Sequence, residues 1–381
     1  MPHDALAAAV RRFPLLGRPR PTCPALPTRV REVTDAVQVA AHKAEHGMAD
    51  AAHALNKAAL IASDCGLPHL ARRLCWQHID AYRRADRPLT ILETRYLLEP
   101  VLNLTRLHIR ANQTLHALQL LKAMHQAITN RCDLTVDDHS LPLANLTGEQ
   151  QERRQLREWV WLQLIGEGVR AFALADRWTE AADHARAYHG IGVHLMEGRQ
   201  AAIIAYCTQG ELTRGRALLA QSAPTQPWEQ EIGTCLLVMC TQPDDPVMAH
   251  HLTKAAARFT ARTPAAGYAS YRARLGLTIA TLASGTRPDL ATELIRQTAD
   301  EAIASADGYT ARDVLVFREP VDGISQRQYE RLTQLVAESG LGAGTLPELT
   351  LRRLTAAADD AVGVLDSALR TDPTSGERRS P

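Results

Sequence analysis

From Thr28 onward, apolar residues recur at three- and four-residue intervals, the spacing that gathers them on one face of an α-helix. The pattern breaks at 130–151, where Asn130, Asp133, Asp137, Asp138, Pro142 and Gly148 gather. It breaks again at 305–324, with Asp307, Gly308, Pro320 and Gly323, and at 339–348, with Gly340, Gly342, Gly344 and Pro347. Only Val314–Phe317 reads as a short strand, so no alternation of strands and helices is expected and the predicted class is all-α. Residues 1–28 stand apart. Pro14, Pro19, Pro21, Pro24 and Pro27 prevent a continuous helix, and Arg11, Arg12, Arg18 and Arg20 make the segment basic. It reads as a loosely ordered arm or, more sharply, as an arm that contacts an acidic partner or nucleic acid. The expected organisation is this Pro/Arg-rich arm at 1–28, a helical domain at 29–304 with an insertion at 130–151, a C-terminal helical region at 305–371 and a disordered tail at 372–381.

Within the helical pattern one element recurs: a turn residue followed five positions later by a small residue. It reads Gly66 to Ala71, Asn112 to Ala117, Asp176 to Ala181, Gly210 to Gly215 and Asp244 to Ala249. The small residues are spaced 46, 64, 34 and 34 apart, and a looser sixth, Ala291 after Gly285-Thr286, follows 42 beyond Ala249. A small residue where one helix crosses its predecessor lets the two backbones approach closely, while large apolar residues fill the grooves between pairs.

These units resemble the tetratricopeptide repeat (TPR). Asp176-Arg177-Trp178-Thr179-Glu180-Ala181 is similar to that family's Gly-Asp-Tyr-x-x-Ala turn, with Phe172 at the preceding aromatic position. The next unit runs Tyr206, Gly210, Glu211, Leu212 and Gly215 and ends at Pro227. The family's Trp–Leu–Gly opening is absent from every unit, and only 165–260 carries its period. The resemblance implies a right-handed array of antiparallel helical hairpins, a TPR-like α-solenoid, whose first helices line a concave groove. It singles out His53, Asn56, Ser63, Glu99, Arg106, Arg110, Gln163, Arg170, Gln200 and Thr208 as groove residues. Of these, Arg106, Arg110 and Arg170 suit a carboxylate or phosphate.

Composition narrows the function classes. Hydrophobic residues make up 45% of 381 residues but aromatics only 4%, so the core must be aliphatic and alanine-rich, which suits packed helices. Lys+Arg 43 against Asp+Glu 42 leaves a net charge of +1, which argues against general nucleic-acid binding. Only four of the basic residues are lysine, and heavy Arg and Ala usage points to a GC-rich bacterial source of actinobacterial type. Seven scattered Cys with no CxxC fit a reducing cytoplasm rather than a disulfide framework. The start of the chain lacks a signal-peptide pattern, and no apolar run approaches the length of about 18 residues that spans a membrane.

Catalytic signatures are sparse. His42-Lys43-Ala44-Glu45-His46 fits the HxxEH form of inverted zinc proteases, and His53 falls near the same helix face. Gly47 weakens the helix directly afterwards and no later acidic ligand is marked, so His42, His46 and His53 are read as ordinary histidines, with no metal and no cofactor expected. No GxSxG and no GxxxxGK occurs. The glycines at 340, 342 and 344 follow a helix rather than a strand and read as a connector. His189–His194 reads as a helix-terminating turn, and the adjacent His250 and His251 point apart. The expected function is therefore a non-catalytic scaffold or regulatory protein that holds a peptide, a protein segment or a small acidic ligand. The alternatives are a sensor component of transcriptional regulation, or an all-α enzyme or essential subunit of a tailoring complex.

Overall fold

A computed structural model of the chain describes residues 3–43, 47–242, 244–262, 265–317 and 323–370. Among these residues the protein is all-α, with seventeen helices and one two-stranded hairpin. In chain order the first elements are α1 (His3–Val10), α2 (Leu26–His42), α3 (Met48–Asp64), α4 (Pro68–Arg83), α5 (Ile91–Arg110), α6 (Thr114–Asn130), β1 (Leu134–Val136) and β2 (His139–Leu141). Then come α7 (Gln150–Leu174), α8 (Trp178–Ala187), α9 (Glu197–Thr208), α10 (Leu212–Ala220), α11 (Pro227–Met239) and α12 (Met248–Thr260). The last are α13 (Ala269–Ala283), α14 (Pro288–Ser305), α15 (Gly308–Phe317), α16 (Gln326–Ser339) and α17 (Glu348–Arg370). They form two compact units. Unit I comprises Leu26–Leu164 and the chain from Gly340 onward; unit II comprises the chain up to Ala25 and Ile165–Ser339.

Four turns share one geometry. Gly66, Asn112, Asp176 and Gly210 all have left-handed φ, at 78°, 57°, 56° and 76°. In each case the next residue donates its N–H five residues back: Leu67 to Ala62, Gln113 to His108, Arg177 to Phe172 and Glu211 to Tyr206, all at 2.9 Å. This is the Schellman closure of a helix, which needs a residue tolerant of positive φ and so selects Gly, Asn and Asp. The carbonyl of that same next residue then accepts from Ala71, Ala117, Ala181 or Gly215, a buried small residue in the first turn of the following helix. The five-residue interval in the sequence is thus the distance from a left-handed turn to a buried small residue in the first turn of the next helix.

Packing follows the chain. In unit I, α3 packs on α4, α4 on α5 and α5 on α6, while α3 also reaches α5. Helix α17 closes this unit against α2, α3 and α4. In unit II each helix from α8 to α15 packs on its successor, and α9, α11, α13 and α15 also meet one another as next-but-one neighbours. The core is aliphatic; Tyr82 and Phe259 are the aromatic side chains among its largest fully buried members. Capping carboxylates fix two helix starts. Glu93 bonds back to the Thr90 N–H at 2.8 Å under a two-pronged grip from Arg87, and Glu229 accepts from the backbone of Leu195, Thr225 and Gln226.

Several expectations need correction. Residues 3–25 are not a loose arm: α1 packs on α13 and α9, and Arg12, Phe13, Leu15 and Cys23 are buried. The prolines exclude a long helix but not an extended, buried path. Val314–Phe317 is the last turn of α15, so the 305–324 interruption contains a helix, and the 130–151 loop instead holds the β1–β2 hairpin. The fifth turn, at Asp244, lacks the left-handed residue, and Ala249 is half-exposed while Met248 and Leu252 are buried. The units also divide the chain differently from the expected 29–304 and 305–371, because α15 and α16 belong with unit II and α17 with unit I. The expected tail at 372–381 lies outside the described residues.

Ala181 has no exposed surface. Ala181→Leu should overpack the α7–α8 turn and destabilise the protein by about 1–3 kcal/mol, whereas Ala249→Leu should change stability by less than about 0.5 kcal/mol. Urea unfolding of both variants checks this; equal losses would show that the turn geometry does not set the packing.

Candidate functional site

In unit I a polar stripe runs along α5 through Tyr96, Glu99, Asn103, Arg106 and Arg110, which share a face by their three- and four-residue spacing. Pro100, on the same helix, has no N–H to give the carbonyl of Tyr96. Facing the stripe, α3 contributes His53, Asn56, Ser63 and Asp64. Asn56 donates to Glu99 at 3.3 Å, Asn103 donates to Asn56, and Arg106 donates to Asn103 at 3.2 Å. His53 meets the ring of Tyr96 edge-on at 5.7 Å. Burial raises the Glu99 pKa above the ordinary carboxylate value, against the opposing pull of His53, Arg95 and Arg106.

One end of the stripe is anchored. Arg110 donates to Ser63 and, at 3.0 Å, to Asp64. Asp64 is buried and also receives Arg29 of α2 at 2.6 Å. The glycine connector approaches the same place: Gly342 N–H donates to the Asp64 carbonyl and Gly344 N–H to the Cys65 carbonyl, each at 2.8 Å. Its amides are therefore spent on the end of α3. Farther along, Arg95 stacks over Trp159 of α7, 5.3 Å from the ring centre, and Gln163 lies half-buried one turn beyond on α7.

Six of the ten groove residues expected from the sequence thus lie along the facing α3 and α5 helices: Asn56, Glu99 and Arg106 in one hydrogen-bonded chain, Ser63 and Arg110 in a second with Asp64, and His53 against Tyr96. Asn103, Asp64 and Arg29 were not foreseen. Asn103 was findable as a lone amide within the apolar run Val101–Leu104, on the same face as Glu99 and Arg106. Arg110 does not stand ready for a ligand as expected, because Asp64 already occupies it.

Of the remaining groove residues, Gln163 stands in unit I outside these contacts, and Arg170, Gln200 and Thr208 lie in unit II. Arg170 is exposed and pairs with Glu167 at 3.8 Å, and Thr208 is bonded to the Ala205 carbonyl of its own helix. Gln200, fully buried on α9, binds the backbone of the N-terminal segment in both directions. The Leu15 N–H donates to its Oε1 at 2.8 Å, and its Nε2 donates to the Leu15 carbonyl at 2.7 Å. The segment continues past Trp228 of α11, against which Gly17 lies so closely that no side chain would fit. Arg20 N–H then bonds Gly267 at 2.8 Å, Cys23 N–H bonds Asp307 at 2.8 Å, and Gly308 N–H returns to the Cys23 carbonyl at 2.9 Å. Arg12 is buried over Phe317 of α15 and donates to that residue's carbonyl.

The HxxEH reading falls partly outside the described residues, since Glu45 and His46 lie there. His42 bonds the Gln38 carbonyl at 2.6 Å. Among the described residues no cluster of three metal-ligating side chains occurs. Comparison with protein-family models, curated proteins and solved structures finds no match for the chain.

Behind the stripe, His78 of α4 is fully buried, with neither ring nitrogen hydrogen-bonded, beside Tyr82 at 5.7 Å. Burial, helped by His53, lowers its pKa to about 3 from 6.5. Between those values the unfolded chain binds a proton that the folded chain does not. Stability is therefore full above about pH 6.5 and falls as the pH drops toward 3, by up to about 1.4 kcal/mol per pH unit. His78→Leu should flatten this acid limb, as read by urea unfolding at about pH 7 and pH 4. An unchanged slope would place the acid sensitivity elsewhere.

A second prediction concerns Gln200. Gln200→Ala strips both partners from the Leu15 backbone and should cost about 1–3 kcal/mol for each group left unsatisfied. Trypsin should then cut after Arg12 faster than in the parent chain, while Gln163→Ala leaves that rate unchanged. Mass spectrometry of limited digests reads both. Equal cutting in all three proteins would mean that Gln200 does not hold the segment.

Proposed function

We propose that the protein is a non-catalytic, TPR-like helical-repeat binding protein that holds an extended acidic peptide segment along α3 and α5 of unit I. Two features favour a repeat array: the four superimposable turn-plus-small elements, and the contacts that link odd helices to one another within each unit. The observation that carries the binding reading is the grip of Gln200 on the Leu15 backbone. A groove position singled out by the resemblance to peptide-binding repeats holds a peptide backbone, and the peptide is the chain's own. In unit I the corresponding face carries amides, Asn56 and Asn103, and partly exposed charged groups.

The charge of the unit I stripe favours an acidic occupant. Arg29, Arg95, Arg106 and Arg110 stand against Asp64 and Glu99, and the burial that raises the Glu99 pKa disfavours its ionised form. Arg106 meets the amide of Asn103, whereas Arg110 is committed to Asp64. The reading therefore centres on Asn56 and Arg106, with Arg110 in a supporting place.

The test is fluorescence anisotropy of the full chain against labelled peptide arrays rich in Asp and Glu, with Lys-substituted counterparts. Acidic peptides should bind more tightly. Asn56→Ala and Arg106→Ala should each weaken binding about tenfold, and Arg106→Lys should recover only part of the loss, since it keeps the charge but lacks the planar fork. Binding that is indifferent to peptide charge, or to both residues, would overturn the reading.

A further inference from the structure

The Sγ atoms of Cys207 and Cys240 lie 3.3 Å apart in the interior of unit II, within thiol hydrogen-bond range. Cys207 is on the last turn of α9 and Cys240 directly follows α11, so the pair bridges two helices that also pack on each other. Their cover is thin. Helix α10 lies over them through Gly215, where a Cβ atom would stand 3.0 Å from Cys240 Sγ and 3.6 Å from Cys207 Sγ. Gly215 is the one buried residue of this nine-residue helix, so little apolar surface holds the helix down. Arg216, next to that glycine, donates to the Cys240 carbonyl at 3.1 Å and brings a cation to the pair.

We propose that Cys207 and Cys240 form a peroxide-responsive dithiol site that closes to a disulfide. Neither the repeat architecture nor peptide binding calls for two thiols here, and the inference is independent of the function proposed above. Cys240 is the attacking sulfur. The hydrogen bond from Cys207 lowers its pKa, and Arg216 acts in the same direction against the effect of burial. Local opening of α10 admits hydrogen peroxide. The Cys240 thiolate attacks one peroxide oxygen and the O–O bond breaks. The departing hydroxide takes up the proton that Cys240 released, leaving water and a sulfenic acid. Cys207 Sγ then attacks Cys240 Sγ, forming the S–S bond and breaking S–O, and its own proton leaves with that oxygen as a second water. Two thiols and one peroxide become one disulfide and two waters.

The test uses the full-length chain carrying Cys132→Ser, because Cys132 is the exposed thiol and would add intermolecular products. The reduced protein is treated with hydrogen peroxide, remaining thiols are alkylated, and the chain is digested with trypsin. The expected result is the loss of two alkylatable thiols and of two mass units, reversed by dithiothreitol. A linked pair of peptides, residues 200–214 with 217–254, should appear, and fragmentation should place the link at Cys240 rather than Cys235. Cys207→Ser should abolish the link and leave Cys240 at the sulfenic or sulfinic stage. The unsubstituted pair is read directly by mass, so the test does not depend on that variant folding. The inference is overturned if Cys207 and Cys240 stay reduced at a peroxide dose that oxidises Cys132 in the parent chain, or if the link joins Cys235.

Discussion

A helix can lie close against its predecessor only if the chain turns sharply and presents no bulk at the crossing. Here one device meets both needs: a left-handed residue closes the helix, and five positions on a small residue meets its neighbour. Gly66 with Ala71, Asn112 with Ala117, Asp176 with Ala181 and Gly210 with Gly215 repeat it with matching hydrogen bonds. The aliphatic composition follows from it, because closely spaced backbones leave little room for rings. The placement of polar groups follows as well. Alternate helices contact one another through next-but-one packing, so their polar side chains come together in rows rather than scattering over the surface.

Those rows are used differently in the two units. In unit I the row is cross-linked by side chains, from Glu99 through Asn56 and Asn103 to Arg106, and anchored where Asp64 joins α2, α3 and α5 through Arg29 and Arg110. Removing either arginine would leave a buried carboxylate short of a partner, which costs far more than a surface pair contributes. In unit II, Gln200 instead satisfies a main chain that runs past α9, α11 and α15. An amide side chain suits that task because it offers one donor and one acceptor, matching the N–H and carbonyl of a single residue.

Much of the fold was legible in the sequence. Helical periodicity and the turn-plus-small element are local signals, so the all-α class and four of the hairpin turns could be read without tertiary information. The Asp244 turn misled because an aspartate five residues before an alanine satisfies the pattern without the left-handed backbone. The packing of residues 5–25, which buries Arg12, Phe13, Leu15 and Cys23, was not legible. Prolines and arginines mark a segment that makes no regular structure of its own, yet Phe13, Leu15 and Cys23 are buried by helices more than 150 positions away. Of the site, the resemblance to known repeats brought forward the α3 and α5 residues. It missed Asp64, because a carboxylate on the last turn of a helix looks solvated until two arginines from other helices are seen to converge on it.

The buried segment bears on how a polar helix face is satisfied. A face lined with amides and charges pays for its polarity in packing unless something satisfies it. In unit II the chain's own residues 12–23 do so, with the Leu15 backbone taking both bonds of Gln200 and Cys23 bonding Asp307 and Gly308. In unit I the same demand is met by side chains bonding one another, several of them half-exposed. Side-chain bonds at a solvated face exchange readily with those of an incoming peptide, because each one broken can be replaced by water or ligand at small net cost. Backbone bonds to a buried glutamine do not exchange in that way. Unit II thus meets the demand with backbone bonds to a buried glutamine, whereas in unit I the exposed His53 and the half-exposed Asn56 and Arg106 leave part of the stripe to solvent.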